Sequence, residues 1–278
     1  MVLIFFYGLI LTPVKITAVL KSIDTMKKIK QQKDQNTSKQ DNLYSQPREA
    51  ISGFVFDENV VDVFEDMIGR SVPGYTTLLS MFPVLARSFV THDSYCYDLG
   101  CSLGAATLAL QQGIDQDNVE VFAVDNSPAM IKKCRYITAQ HSSRAKVTVE
   151  EADICDYPIR NASLVVMNFT LQFVSMNARS ALIGNIFTGL NPGGAFVLSE
   201  KIIFEDEQEQ NRLISLHHDF KKANGYSDLE ISQKRSSLDN VLIAETVAEH
   251  KTRLKQAGFS EVVVWFQCFN FVSILAIK

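Results

Sequence analysis

Apolar and polar positions alternate with two different periods along most of this chain. Short runs rich in apolar or β-branched residues recur at 95–99 (YCYDL), 119–124 (VEVFAV), 146–150 (KVTVE), 163–168 (SLVVMN) and 195–199 (AFVLS), and each predicts a strand. Between them the apolar residues fall three or four apart. Met130, Cys134 and Ile137 share one face of a predicted helix, as do Leu182, Ile186 and Leu190;. Ser127-Pro128 reads as an N-cap followed by proline at the first helical position;. The turn Asn191-Pro192-Gly193-Gly194 is expected to stop the second helix;.

Strands alternating with helices imply a parallel sheet covered on both faces. The end of the chain breaks that pattern. VVVWFQ (262–267) and FVSILAI (271–277) are separated by three residues, too few for a crossover helix, so an antiparallel hairpin is expected;. Residues 57–90 and 205–240 lie outside the alternation. The second is an insertion between the fifth and sixth strands, beside the ligand crevice of such a sheet, and both regions are candidate lids or substrate walls.

The folded part is expected to begin near Phe54. Residues 1–14 (MVLIFFYGLILTPV) are apolar, but Lys15 cuts the run short of the ~20 residues of a membrane span;. No basic residue precedes the run and no good cleavage site follows, so an export signal is not expected. Residues 22–50 have the composition of a disordered segment;. Residues 1–50 therefore read as a poorly ordered leader or a mis-started N-terminus, with Met26 as an alternative start. Residues 51–278 read as a single catalytic domain.

With 46% apolar and 21% charged residues, the 278-residue chain is ordinary for a soluble protein and can bury a large core;. Its net charge of −4 disfavours direct binding of nucleic acid over a wide face;. The five cysteines form no C-x-x-C pair, so free thiols in a reducing, cytoplasmic setting are expected, with neither a disulfide framework nor a metal site;.

The chemistry gathers at predicted strand ends. YDLGCSLG (97–104) follows the first strand and opens a helix. Its pattern, Asp98-x-Gly100-x-x-x-Gly104, has Ser102 where a dinucleotide fingerprint carries its second glycine, so a pyrophosphate would be crowded;. Asp98 would repel an anion and welcome an ammonium group. These features favour S-adenosylmethionine over a dinucleotide. Asp125 ends the second strand and can accept from both ribose hydroxyls, or cap the helix beginning near Ser127;. After the third strand, Asp153 can accept from an adenine amino group and the backbone of Ile154 can donate to a ring nitrogen. Asn168 ends the fourth strand at the ligand-binding edge;.

Together these residues look like the class I S-adenosylmethionine methyltransferase fold: Rossmann-like α/β, with a mostly parallel seven-stranded sheet ending in an antiparallel hairpin. A closer likeness comes from RSVPGY (70–75), YDLGCSLGAATL (97–108), DNSPAMI (125–131), NASLVVMNFTLQF (161–173), GLNPGGAFVLSEK (189–201), HHDFKKANGYSDLEISQKRS (217–236) and WFQCFNF (265–271). These segments resemble the bacterial carboxy-S-adenosyl-L-methionine synthase family from about Phe54 to Lys278. The resemblance implies conversion of S-adenosylmethionine and prephenate to carboxy-S-adenosylmethionine and phenylpyruvate. It also implies a homodimer, and a sister enzyme that uses the product to carboxymethylate a wobble uridine of tRNA. The implied cofactor contacts are Tyr75, Gly100, Cys101, Ser102, Asp125, Asn126, Asp153, Ile154 and Asn168. Arg235, in SQKRS, would hold the new carboxylate, and Tyr75 and Arg235 are the implied catalytic residues. The alternatives are a methyltransferase acting on a small molecule or tRNA base, and a non-catalytic adenosylmethionine-binding protein.

Blander readings stand beside these. Tyr75 also suits a core aromatic or a turn after Pro73-Gly74. Cys101 reads as a small residue lining a ligand rather than a reactive thiol. His217 and His218 point about 100° apart on a helix and cannot pair as metal ligands; helix-surface or dimer-contact roles suit them. Lys221 and Lys222 read as a solvated face, and Glu200-Lys201 as a local ion pair.

Overall fold

Each predicted strand is present. The computed structural model describes residues 39–278 except residue 142, so the expectations for residues 1–38 lie outside the described residues. Strands β1 (Tyr95–Leu99), β2 (Glu120–Asp125), β3 (Lys146–Glu151), β4 (Ala162–Asn168), β5 (Leu190–Lys201), β6 (Glu261–Cys268) and β7 (Phe271–Ile277) form one sheet in the order β3-β2-β1-β4-β5-β7-β6. The first five run parallel. β7 is antiparallel to both β5 and β6, as the three-residue gap requires.

Helices α1 (Glu58–Ser71) and α2 (Tyr75–Phe89) precede the sheet. The crossovers carry α3 (Ala105–Gly113), α4 (Pro128–Thr138) and α5 (Met176–Gly189). The insertion after β5 folds as α6 (Glu207–Ala223) and α7 (Asp228–Leu238), and α8 (Val247–Ala257) leads into β6. Ser127 caps α4 by accepting from the Met130 N–H, with Pro128 in the first turn, as predicted. Ser227 and Glu230 close a reciprocal capping box on α7;.

Strand residues alternate between two apolar layers. Cys96, Leu164 and Val166 face Leu78, Phe82 and Leu110; Tyr97, Val165 and Met167 face Leu182, Ile186 and Leu254. Burial on both faces explains why these strands read as nearly continuous apolar runs. At about 1.5–3 kcal/mol for each large side chain withdrawn from water, the two layers hold the sheet as a rigid platform.

Two boundaries differ from expectation. Gln40–Lys278 form one compact unit, so packing is already present ahead of Phe54. Asp41 and Tyr44 are buried; the Asp41 N–H donates to Asp66, and Gln233 donates to the carbonyls of Tyr44 and Gln46. The second difference is at 190–194. α5 stops at Gly189, and Leu190 already pairs with Ala162; the ladder resumes at Leu164 with Ala195. Asn191–Gly194 thus forms a bulge inside β5, with Gly193 at φ 76°;.

Candidate functional site

Between β1 and β4 the strand order reverses, and a cavity of about 400 Å³ opens at the carboxyl edge there;. The loop after β1 forms its floor. Gly100, Ser102 and Gly104 all take positive φ, 82°, 51° and 87°. At Gly100 no other residue fits: a Cβ would lie 2.2 Å from Cγ2 of Thr170;. The N–H groups of Gly100 and Cys101 both donate to the Val124 carbonyl, which pins the loop to the end of β2.

Asp125 is shared between loop and ligand space. Its Oδ2 accepts from Ser102 N–H and its Oδ1 from Ser127 N–H, each at 2.9 Å. It therefore buttresses the start of α4 as well as lining the cavity, and a carboxylate with two bonds made can accept more. Burial raises its pKa, and the N–H donors of Ser127, Ser102 and Asn126 oppose that. Asn126, Asp153, Ile154 and Asn168 also line the cavity. Asp153 accepts from Cys155 N–H, while Oδ1 of Asn168 is buried without a partner among the described residues. An orphaned buried acceptor fits a ligand that brings a donor. Beneath them Asp98 is fully buried; desolvation pushes it up to about 6, with Thr107 opposing.

Three predicted contacts are not brought to the cavity wall. Cys101 lies between two positive-φ residues and turns inward, against Ala123, Ile131 and Cys134. Tyr75 opens α2 and packs in the core; its ring centre is 6.3 Å from that of Phe169, which does line the cavity. Arg235, in the last turn of α7, is exposed. Its neighbour Lys234, about 100° round the helix, is the residue that reaches the cavity;.

The walls come from the two regions outside the strand–helix alternation: Phe64, Met67 and Ile68 of α1, and Leu238 of α7. Phe54 and Phe56, from the strand-free lead-in to α1, meet edge to face with ring centres 5.1 Å apart. Three polar wall residues were read otherwise from sequence, and a fourth, Lys234, was not singled out. His217 is buried, with Nε2 2.8 Å from the Ser71 carbonyl and its ring against Phe271, so it is no surface residue. Burial, then the Lys221 charge, pushes it down to about 3, leaving it neutral. Lys221 lines the cavity, whereas Lys222 stays exposed and pairs with Asp228 at 2.6 Å. Glu200 and Lys201 form no ion pair: Glu200 accepts from the N–H groups of Leu171 and Gln172 at 2.8 and 3.0 Å, and Lys201 lines the cavity. Lys234 completes the set. Two signals pointed there: Lys201 ends a strand at the ligand edge, and His217 and Lys221 are four apart on one helix.

Residues 97–194 match a methyltransferase domain family. Over 241 residues, 87% of this chain and 98% of the relative, the sequence is 54% identical to carboxy-S-adenosyl-L-methionine synthase of Escherichia coli O7:K1. The chain belongs to the carboxy-S-adenosyl-L-methionine synthase family. The synthase of Photorhabdus laumondii is also 54% identical, over 86% of this chain and 94% of its own. Among solved structures, human N-acetylserotonin methyltransferase in complex with S-adenosylmethionine superposes with a TM-score of 0.53 at 17% identity, covering 80% of this chain and 56% of that one. That likeness is one of fold: a class I methyltransferase sheet with its hairpin edge. Synthase-family membership thus sits on a methyltransferase scaffold whose carboxyl-edge crevice is walled by α1, α6 and α7.

Proposed function

We propose that this protein is a carboxy-S-adenosyl-L-methionine synthase, converting S-adenosylmethionine and prephenate to carboxy-S-adenosylmethionine and phenylpyruvate. The observation that carries this reading is the 54% identity to synthases over nearly their whole length. The cavity supports it. The adenosine lies along Asp125, Asp153 and Ile154, and the methionine end passes Gly100 and Asn168 above Asp98. Tyr75 and Cys101 support this pocket from the layer behind it. Arg235 holds the new carboxylate after its side chain turns inward from the rim.

The reaction balances without a further reagent. The ring carboxylate of prephenate leaves as carbon dioxide, and its bonding electrons aromatise the ring and expel the ring hydroxyl as hydroxide. The sulfonium methyl loses one proton, and its carbon captures the carbon dioxide. Proton and hydroxide together make water. The protein's work is to exclude bulk water, hold both reactants close and bind carboxylates. The phenylalanine wall serves the first task.

The product would supply a tRNA uridine carboxymethyltransferase, and a cytoplasmic homodimer is the proposed working form. All five cysteines are free, which suits a reducing compartment;. The methyltransferase-domain match favours one rival, transfer of the unmodified methyl group to a small molecule or tRNA base. The mass of the copurifying nucleotide tests both. A ligand heavier than S-adenosylmethionine by one carbon dioxide is expected. Unmodified cofactor or S-adenosylhomocysteine, with no conversion on adding prephenate, would refute the proposal.

A further inference from the structure

Charge is divided along the cavity. Asp125 and Asp153 come from the ends of β2 and β3, whereas Lys201 ends β5, Lys221 lies on α6 and Lys234 on α7. In the sheet, β1 and β4 stand between β2 and β5. That is three strand spacings, about 14 Å. A nucleoside seated on Asp125 and extended past Asn168 therefore brings its sulfonium end toward the lysines.

Two of these cations feel a carboxylate only at a distance, Lys201 that of Asp239 and Lys234 that of Asp41. Among the described residues, the Nζ atoms of Lys201 and Lys221 have no hydrogen-bond or ion-pair partner. Three acids nearby are engaged elsewhere. Asp41 accepts from the Tyr226 hydroxyl, Glu230 closes the α7 cap, and Glu200 is bound to the 171–172 backbone. Lys234 has its Nζ 2.6 Å from Sδ of Met67 and 4.5 Å from the centre of the Phe54 ring, with no carboxylate in contact among the described residues. Desolvation lowers the pKa of all three; Lys221 falls to about 8, helped by the charges of Lys201, Lys234 and Arg235, and Lys234 falls to about 8 through burial. Unpaired ammonium groups in a largely apolar cavity are costly, and an anionic ligand removes that cost.

We propose that Lys201 and Lys221 anchor the two carboxylates of a dianionic carboxyl donor beside the sulfonium, with Lys234 completing the basic lobe. The inference rests on the synthase reading, in which that donor is prephenate. Lysine suits the role as a compact charge with three rotatable donors. Neutral His217 fills the wall between them without competing for the anion. A transferable methyl group requires no such lobe.

Lys201→Met and Lys221→Met, singly and together, test the assignment, with Lys222→Met as the exposed control. Removing a poorly solvated charge should leave folding intact, checked by thermal unfolding. Expected are a tenfold or greater rise in the KM for prephenate in each single variant, a hundredfold or greater rise in the double variant, and a Kd for S-adenosylmethionine within twofold of wild type. Lys→Arg should recover part of the loss. An unchanged prephenate KM in the double variant, alongside an active wild type, overturns the inference alone. An inactive wild type overturns the parent reading; calorimetric titration of prephenate into the S-adenosylhomocysteine-loaded protein then decides the site. Equal prephenate binding by wild type and double variant, or none by either, would refute the lysine site, and binding lost only in the variant would uphold it.

Discussion

Thr107 donates its hydroxyl to Oδ2 of Asp98 at 2.6 Å, and the other carboxylate oxygen of Asp98 is buried with no partner among the described residues. Half-satisfied in this way, the carboxyl sits at about 6 because burial disfavours its charge more than Thr107 favours it;. A folded-state pKa above the unfolded value makes stability greatest below about pH 4, and it is lost as pH rises through about 6. Two units correspond to about 3 kcal/mol. A cationic ligand has the opposite preference, since it requires the ionised form. S-adenosylmethionine affinity should therefore fall as pH drops below 6, approaching tenfold per unit, while the free protein becomes more stable. Asp98→Asn should flatten both curves. Calorimetry and thermal unfolding from pH 5 to 7.5 check this, and a pH-independent wild-type affinity would count against Asp98 facing the ligand's charge.

Gly100 should tolerate no side chain. A Cβ there meets Cγ2, Oγ1 and Cβ of Thr170 at 2.2, 2.4 and 2.8 Å, and φ is 82°. Gly100→Ala is expected to lose at least ~2 kcal/mol of stability from strain and overpacking. Nucleotide binding should weaken more than tenfold as the loop shifts from Asp125. Adding Thr170→Gly removes the clash but leaves the φ cost, so only part of the stability should return in denaturant titration.

The strands, the hairpin and the carboxylates on the cavity wall were legible because each is a local pattern: an apolar run, a short gap, an acid at a strand end. Asp41 and Tyr44 were not, because they sit in a polar stretch and their partners are distant in sequence: Asp66 of α1 and Tyr226 for Asp41, and Gln233 of α7, almost two hundred residues away, for Tyr44. Lys201 and Lys221 misled, and Lys234 went unmarked, for the same reason. A lysine in sequence reads as solvated, and only the folding of α6 and α7 over the sheet edge encloses these three. Cys101 was placed correctly in the loop and wrongly in direction, because the positive φ of Ser102 is visible only in three dimensions. Glu200 reveals a further tertiary device: its carboxylate holds the Leu171–Phe173 turn that carries Gln172 and Phe173 to the cavity.

Arg179, fully buried, pairs with Glu245, which also binds Arg253. Burial opposes ionisation of Glu245, and hydrogen bonds from Arg253 and Arg179 outweigh it, holding its pKa below the usual value. The stability this supplies is present above about pH 4.5 and is lost as pH falls. Glu245→Gln leaves a buried guanidinium without its counter-charge and should cost ~3–5 kcal/mol at pH 7, read from urea unfolding. Arg179 also donates to the Gln172 carbonyl, so the loosened variant should bind S-adenosylmethionine more weakly. A change under ~1 kcal/mol would show that the pair is solvated.

Arg235 provides the sharpest separation between fold and chemistry. It is exposed on the last turn of α7, and its positive charge acts on Lys201, Lys221 and His218. A surface arginine with no side-chain partner among the described residues contributes little to folding, so Arg235→Ala should change unfolding free energy by less than ~0.5 kcal/mol. If its planar fork grips the new carboxylate, the loss should appear only where that group exists. Formation of carboxy-S-adenosylmethionine should fall by two orders of magnitude, ~3 kcal/mol of lost stabilisation. Affinity for the carboxylated product should fall in parallel, while S-adenosylmethionine binds within twofold of wild type. Arg235→Lys keeps charge without the fork and should recover only part of the rate. Unchanged turnover in Arg235→Ala would remove this residue from the site and leave the basic lobe of the cavity as the sole carboxylate-binding element.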